Sequence, residues 1–154
     1  MTDPRDDQLA AAARDVRRRV DEQAQASGGW TEDARAGEPD SPAWASELIR
    51  QYEEARPDVR GCPHLQAAPV QPALWVTQVP DLLSCVGRGC EQVLVSTLEE
   101  RLGHTLEEEP GRCSVCGTVG PVRGVSVGVQ DVLIRGLLCA ACESREGPSG
   151  VNTG

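Results

Sequence analysis

Seven cysteines and one histidine fall into four short clusters in the second part of the chain: Cys62 with His64, Cys85 with Cys90, Cys113 with Cys116, and Cys139 with Cys142. Thiolate sulfur and imidazole nitrogen bind borderline-soft cations, and two donors across a tight turn supply two corners of a tetrahedron without strain. Eight donors in four pairs count out as two four-ligand sites, so the spacing predicts two Zn2+ ions per chain. An odd number of cysteines with CxxC pairs favours metal over disulfides in a reducing compartment. Iron suits tetrahedral sulfur as well, and each CxxC alone could exchange with a disulfide.

The strongest motif is Cys113-Ser114-Val115-Cys116-Gly117, because glycine after the second cysteine accepts the dihedral angles of a backbone turning round a metal. Cys139-Ala140-Ala141-Cys142 follows after 22 intervening residues. Between them Val125, Val127 and Val129 alternate, Gln130-Asp131 can turn, and 132 to 138 reads as an apolar return strand. In the first cluster, 20 residues separate His64 from Cys85. They hold a second predicted hairpin, with 73 to 79 running out, Pro80-Asp81 turning, and 82 to 84 returning. After Cys90, Leu94, Leu98 and Leu102 share one helix face and Gly103 can close the end, which sets Cys90 at a helix N-terminus where the dipole favours thiolate. His104 is a rival ligand to His64, but it lies past the helix end and completes no short pair.

These ligands need elements to hold them. Residues 1 to 26 predict an N-terminal helix with a narrow stripe of Leu9, Ala13, Val16 and Val20. Two heptads are short for a lone helix, so the stripe docks, pairs with a partner, or frays. Arg17, Arg18 and Arg19 are flanked by Asp15, Asp21 and Glu22, and read as a solvated face. Residues 27 to 40 read as a flexible linker and 144 to 154 as a disordered tail. A second, amphipathic helix covers 41 to 57, with Ser41 able to cap it, Pro42 in its first turn, and Pro57 ending it. Its Trp44, Leu48 and Tyr52 recur every four residues, either as a core face or as an exposed anchor for another protein.

Ligand pair, hairpin, then ligand pair leading into a helix resembles the treble-clef zinc finger over residues 62 to 103, although the gaps at Cys62-His64 and Cys85-Cys90 depart from its usual spacing. Residues 111 to 143 look like a zinc ribbon. The resemblance is to small bacterial zinc-finger proteins of actinobacterial type, since all 15 basic residues are Arg in an Ala-, Gly- and Val-rich chain. It implies a small metal-bound α+β fold: two α-helices, then tandem zinc-bound β-hairpins, the first module spanning 61 to 110 and the ribbon 111 to 143. A crossed pairing of the clusters, as in RING-type domains, stays open on spacing alone.

Composition bounds the function. With no Phe, one Tyr and three Trp in 154 residues, large core side chains are scarce and metal must supplement them. The net charge is −9. Residues 1 to 61 carry 9 Arg against 14 acids, and residues 62 to 142 carry 5 against 8. A polyanion is repelled by such a surface, which disfavours nucleic acid. No apolar run suggests a membrane span or a signal peptide, so a cytoplasmic location is expected. Two closed sites leave no coordination position for substrate, and no catalytic motif is visible, so no enzyme is expected. What remains is a protein-binding adaptor or regulator, with Trp44, Leu48 and Tyr52 or the hairpin tips as contacts. The alternative is a transcription-associated zinc ribbon, for which Arg112, Arg123 and Arg135 would have to gather on one face.

Overall fold

In the computed structural model, which describes residues 3–26, 30–31, 42–67, 71–86 and 88–144, the alternating valines build the longest hairpin. Strands β5 (Val122–Val129) and β6 (Val132–Cys139) pair antiparallel along their whole length, from Val122 opposite Cys139 to Val129 opposite Val132. Gln130 makes the turn with φ 54°, the one non-glycine residue among those described with positive φ. A second hairpin joins β3 (Ala73–Val76) to β4 (Leu82–Cys85).

The two hairpins are not stacked modules. β3 lies parallel to β6, with Ala73 beside Val132 and Val76 beside Arg135, so both belong to one mixed sheet. Two short strands complete it: β1 (Trp30–Thr31) lies parallel to β5 and β2 (Arg60–Gly61) parallel to β4, giving the order β1-β5-β6-β3-β4-β2. Trp30 and Thr31 fall inside the stretch read as linker, and they are the edge strand instead. The rest of that stretch, the Ser41 cap and the tail beyond Ser144 lie outside the described residues.

Helices cover both sides of the sheet because both sides are apolar. On one side α2 (Ala43–Ala55) lays Trp44, Ala45 and Leu48 on Trp75, Val125, Val127, Ile134 and Leu138. Leu48 is wholly buried, and Gly136 is the place where it fits: a Cβ there would come within 3.2 Å of a Leu48 methyl and 3.1 Å of Ser114 Oγ. Trp75, 1% exposed, meets the edge of Tyr52 at 5.4 Å between ring centres and donates from Nε1 to the Pro80 carbonyl at 3.0 Å. The Trp44, Leu48, Tyr52 stripe is thus a core face, and the expectation of an exposed anchor there gives way to burial of Trp44 and Leu48.

On the other side α1 (Pro4–Ala26) and α4 (Arg88–Leu102) share a second cluster in which Val20, Ala24, Leu94 and Leu98 cover Leu74 and Leu133. Only the C-terminal half of α1 docks. Leu9 stays 56% exposed while Val16 and Val20 are buried, so the stripe read from the sequence is half used. Gly103, at φ +79°, returns its N–H to the Glu99 carbonyl at 2.9 Å and ends α4 as expected. Each layer order follows from period-two strands whose alternate side chains, Leu74 and Trp75 or Leu133 and Ile134, are both apolar.

Candidate metal centres

The eight donors come together as two sets of four, Cys62, His64, Cys85 and Cys90 in one and Cys113, Cys116, Cys139 and Cys142 in the other, each with its ligand atoms within 4.8 Å of one another. The pairing is sequential rather than crossed. All seven cysteines are free thiols.

The first set is assembled where β2 and β4 end. β2 delivers Cys62, whose N–H donates to the Leu83 carbonyl at 2.9 Å, and the short helix α3 (Pro63–Ala67) turns His64 back toward it. The N–H of Cys85, at the end of β4, donates to Cys62 Sγ at 3.3 Å. Cys90 enters from the first turn of α4. His64 Nδ1 lies 3.6 Å from Cys85 Sγ and 3.1 Å from Cys90 Sγ. Bonds of about 2.0 and 2.3 Å to nitrogen and sulfur set a tetrahedral edge of roughly 3.5 Å, so this donor set fits a four-coordinate ion presented to the Nδ1 edge of the ring.

The second set closes around the knuckle. Gly117 takes φ +77° and donates to the Cys113 carbonyl at 3.0 Å, while Cys139 ends β6 and Cys142 sits in the final turn α5 (Ala140–Glu143). Cys116 and Cys139 sulfurs stand 3.7 Å apart, against roughly 3.8 Å for an ideal edge with 2.3 Å bonds.

Electrostatics prepare each set for a cation. Burial opposes ionisation of Cys62, but N–H groups of Cys85 and Leu65 aimed at its sulfur prevail and bring it down to about 6. At the knuckle the Thr118 hydroxyl and N–H bring Cys116 down to about 6, and Cys113, though buried, is lowered by the N–H groups of Cys116, Cys139 and Val115. One further thiol in each set goes the other way. Cys90 is pushed up to about 12 by its hydrogen bond to Cys85 and by burial, and Cys142 up to about 12 by burial and its bonds to Cys139 and Cys116. A dication replaces those protons and leaves four donors around one charge.

Ser114 is the supporting residue that spacing does not reveal. Its hydroxyl accepts from the Leu137 N–H at 2.9 Å and shares a hydrogen with Thr77 Oγ1 at 2.9 Å. Its N–H donates to the Leu137 carbonyl at 2.7 Å, and its carbonyl accepts from Gln51 Nε2 at 2.9 Å. One small residue thereby fastens the knuckle to β6, to the turn after β3 and to α2. His104, the rival ligand, is far from either set in role: its Nε2 pairs with the Glu109 carboxylate.

The sites sit at opposite ends of the sheet. Cys85 is opposite Ala73, Ala73 is beside Val132, and Cys139 lies seven residues further along β6, or roughly 23 Å at about 3.3 Å per residue. Comparison of the chain with protein-family models, with curated proteins and with solved structures finds no match. No described helix is long and apolar enough to cross a membrane.

Proposed function

We propose that the chain is a non-enzymatic adaptor or regulatory protein, stapled by two Zn2+ ions and acting through contacts with another protein. The observation that carries this reading is that each donor set supplies four protein ligands, which completes a tetrahedron and leaves no position for water or substrate. Zinc is the ion of choice for three thiolates with an imidazole and for four thiolates, since it has no redox chemistry and accepts both sets in the same geometry. The hairpin β3–β4 leading through Cys85 into α4 supports a treble-clef-like description of the first site. The knuckle and the β5–β6 hairpin support a zinc ribbon for the second. Free thiols suit a reducing compartment, which on this reading is the cytoplasm.

The arginines argue against a nucleic-acid role. Arg123 shares its side of the sheet with Val125, whereas Arg135, opposite Ser126, is on the other. Arg123 is also held by the Glu143 carboxylate at 2.7 Å, and Arg112 donates to the Gly117 carbonyl at 3.0 Å. Among the described residues these three arginines do not gather on one face, and the net charge of −9 disfavours a polyanion. Affinity capture from the source cells, beside a salt titration with DNA and RNA, tests the proposal. A co-purifying protein without nucleic-acid binding is expected; binding to DNA or RNA that weakens steeply with salt would replace the adaptor with a nucleic-acid regulator.

A further inference from the structure

A half-open cavity of about 880 Å³ runs between α4 and the knuckle of the second metal centre. One wall is the helix face carrying Leu94, Leu98 and Leu102, which spans roughly 12 Å at about 1.5 Å per residue. Val76 and Leu137 also line it, as do the knuckle residues Cys113 to Gly117. Apolar surface continues outward at the margins: Val95 is 43% exposed and Leu106 37% exposed, and both line the cavity. Soluble surfaces rarely leave such a contiguous apolar patch without a use.

The rim is acidic. Glu109 lines the cavity, Glu107 and Glu108 precede it on the turn from Leu106, and Glu99 on α4 accepts from the Leu106 N–H at 2.8 Å. Glu108 accepts from Thr105 N–H, and Glu109 faces His104. Glu109 is the carboxylate in the lining itself and the other three lie beside lining residues; among the described residues Arg112 is the one lining guanidinium, and Arg101 on α4 is held by Asp81 at 2.7 Å. An apolar trough about two helical turns long, edged by carboxylates, selects for an apolar stripe flanked by cations.

Resting on the adaptor reading above, we infer that this groove is the docking site for a basic amphipathic helix of a partner protein, which seats apolar side chains spaced i, i+3 or i+4, and i+7 between α4 and the knuckle and sets Arg or Lys over the glutamate rim. The knuckle supplies a whole wall, so capture of the helix depends on the second metal site.

The test uses the full-length zinc-loaded chain and a fluorescent peptide of about 16 residues with Leu at those spacings and Arg on its flanks, beside a twin in which Glu replaces Arg. The Arg peptide is expected to bind at least about tenfold tighter than the Glu twin, and to weaken as salt is raised. Val95→Asp with Leu106→Asp, both at exposed positions, should cut that binding about tenfold or more while metal content and melting temperature hold. Equal binding of the two peptides, undiminished binding to the double variant, or no binding of the Arg peptide overturns the groove assignment. So does a concentration-dependent dimer of the wild type that the double variant lacks, which would give the groove to a second copy. Affinity capture with wild type and double variant separates this from the broader reading. A partner retained equally by both rejects the groove and keeps the adaptor, whereas no partner on the wild type rejects the adaptor.

Discussion

At the scale of single residues, the candidate metal sites divide into donors that the spacing marks and supports that it hides. The gathering of Cys62, His64, Cys85 and Cys90, and of the four cysteines of the second set, was legible because short paired gaps are what a turn round a metal demands. His64→Ala should therefore remove about one metal equivalent and His104→Ala none, as elemental analysis of the two variants would measure. Ser114 was not legible, because its partners Gln51, Thr77 and Leu137 are distant in sequence and only the fold brings them to it. Ser114→Ala strips the Leu137 N–H of its acceptor, a loss of about 1 to 3 kcal/mol in denaturant unfolding, with a roughly 10- to 100-fold weaker second site in chelator competition. The thiols set a pH dependence with a definite sign. Cys90 and Cys142, both pushed up to about 12, are protonated at neutral pH in the metal-free chain and must lose their protons to bind. Apparent zinc affinity should accordingly rise with pH across neutrality, about tenfold per unit for each proton released. Calorimetry in buffers of different ionisation enthalpy would count those protons, and a value of zero would contradict the arrangement.

At the scale of elements, the hairpins and α4 were readable from period two and period 3.6, while their assembly was not. The parallel joining of β3 to β6 has no local signal, since Leu74 and Trp75 are both apolar and say only that both sides of the strand are covered. The same ambiguity leaves the face of α2 open between core and interface in the sequence, and the packing of Leu48 over Gly136 makes it core. Leu48→Ala should cost about 2 to 5 kcal/mol, through lost burial and the cavity left over Gly136. β4 carries the opposite case. Ser84 is 4% exposed and its Oγ is the one buried side-chain polar atom among the described residues without a partner. Ser84→Ala should leave stability unchanged or raise it by up to about 1 kcal/mol, and a loss of more than that in thermal melts would mean the hydroxyl has a partner.

At the scale of the whole molecule, the two candidate metal sites stand at opposite ends of one sheet, and helices on both sides complete a core that three tryptophans and no phenylalanine would otherwise leave thin. The sequence suggested tandem hairpins; their strands share one mixed sheet, which makes its two ends interdependent. Removing residues 1 to 57 would strip Trp44 and Leu48 from the sheet and Val20 from Leu133, so the remaining chain should lose its cooperative transition rather than survive as a free zinc module. Chelation should unfold α1 and α2 together with the strands, visible as loss of helical circular dichroism, since structural zinc contributes about 10 to 16 kcal/mol beside an ordinary domain stability of about 5 to 15. The most direct measurement is the metal content of freshly purified, reduced protein followed through stepwise chelation. Two zinc ions per chain, lost together with the fold, are the predicted result for the two donor sets. A chain that binds no metal and still unfolds cooperatively would contradict the account.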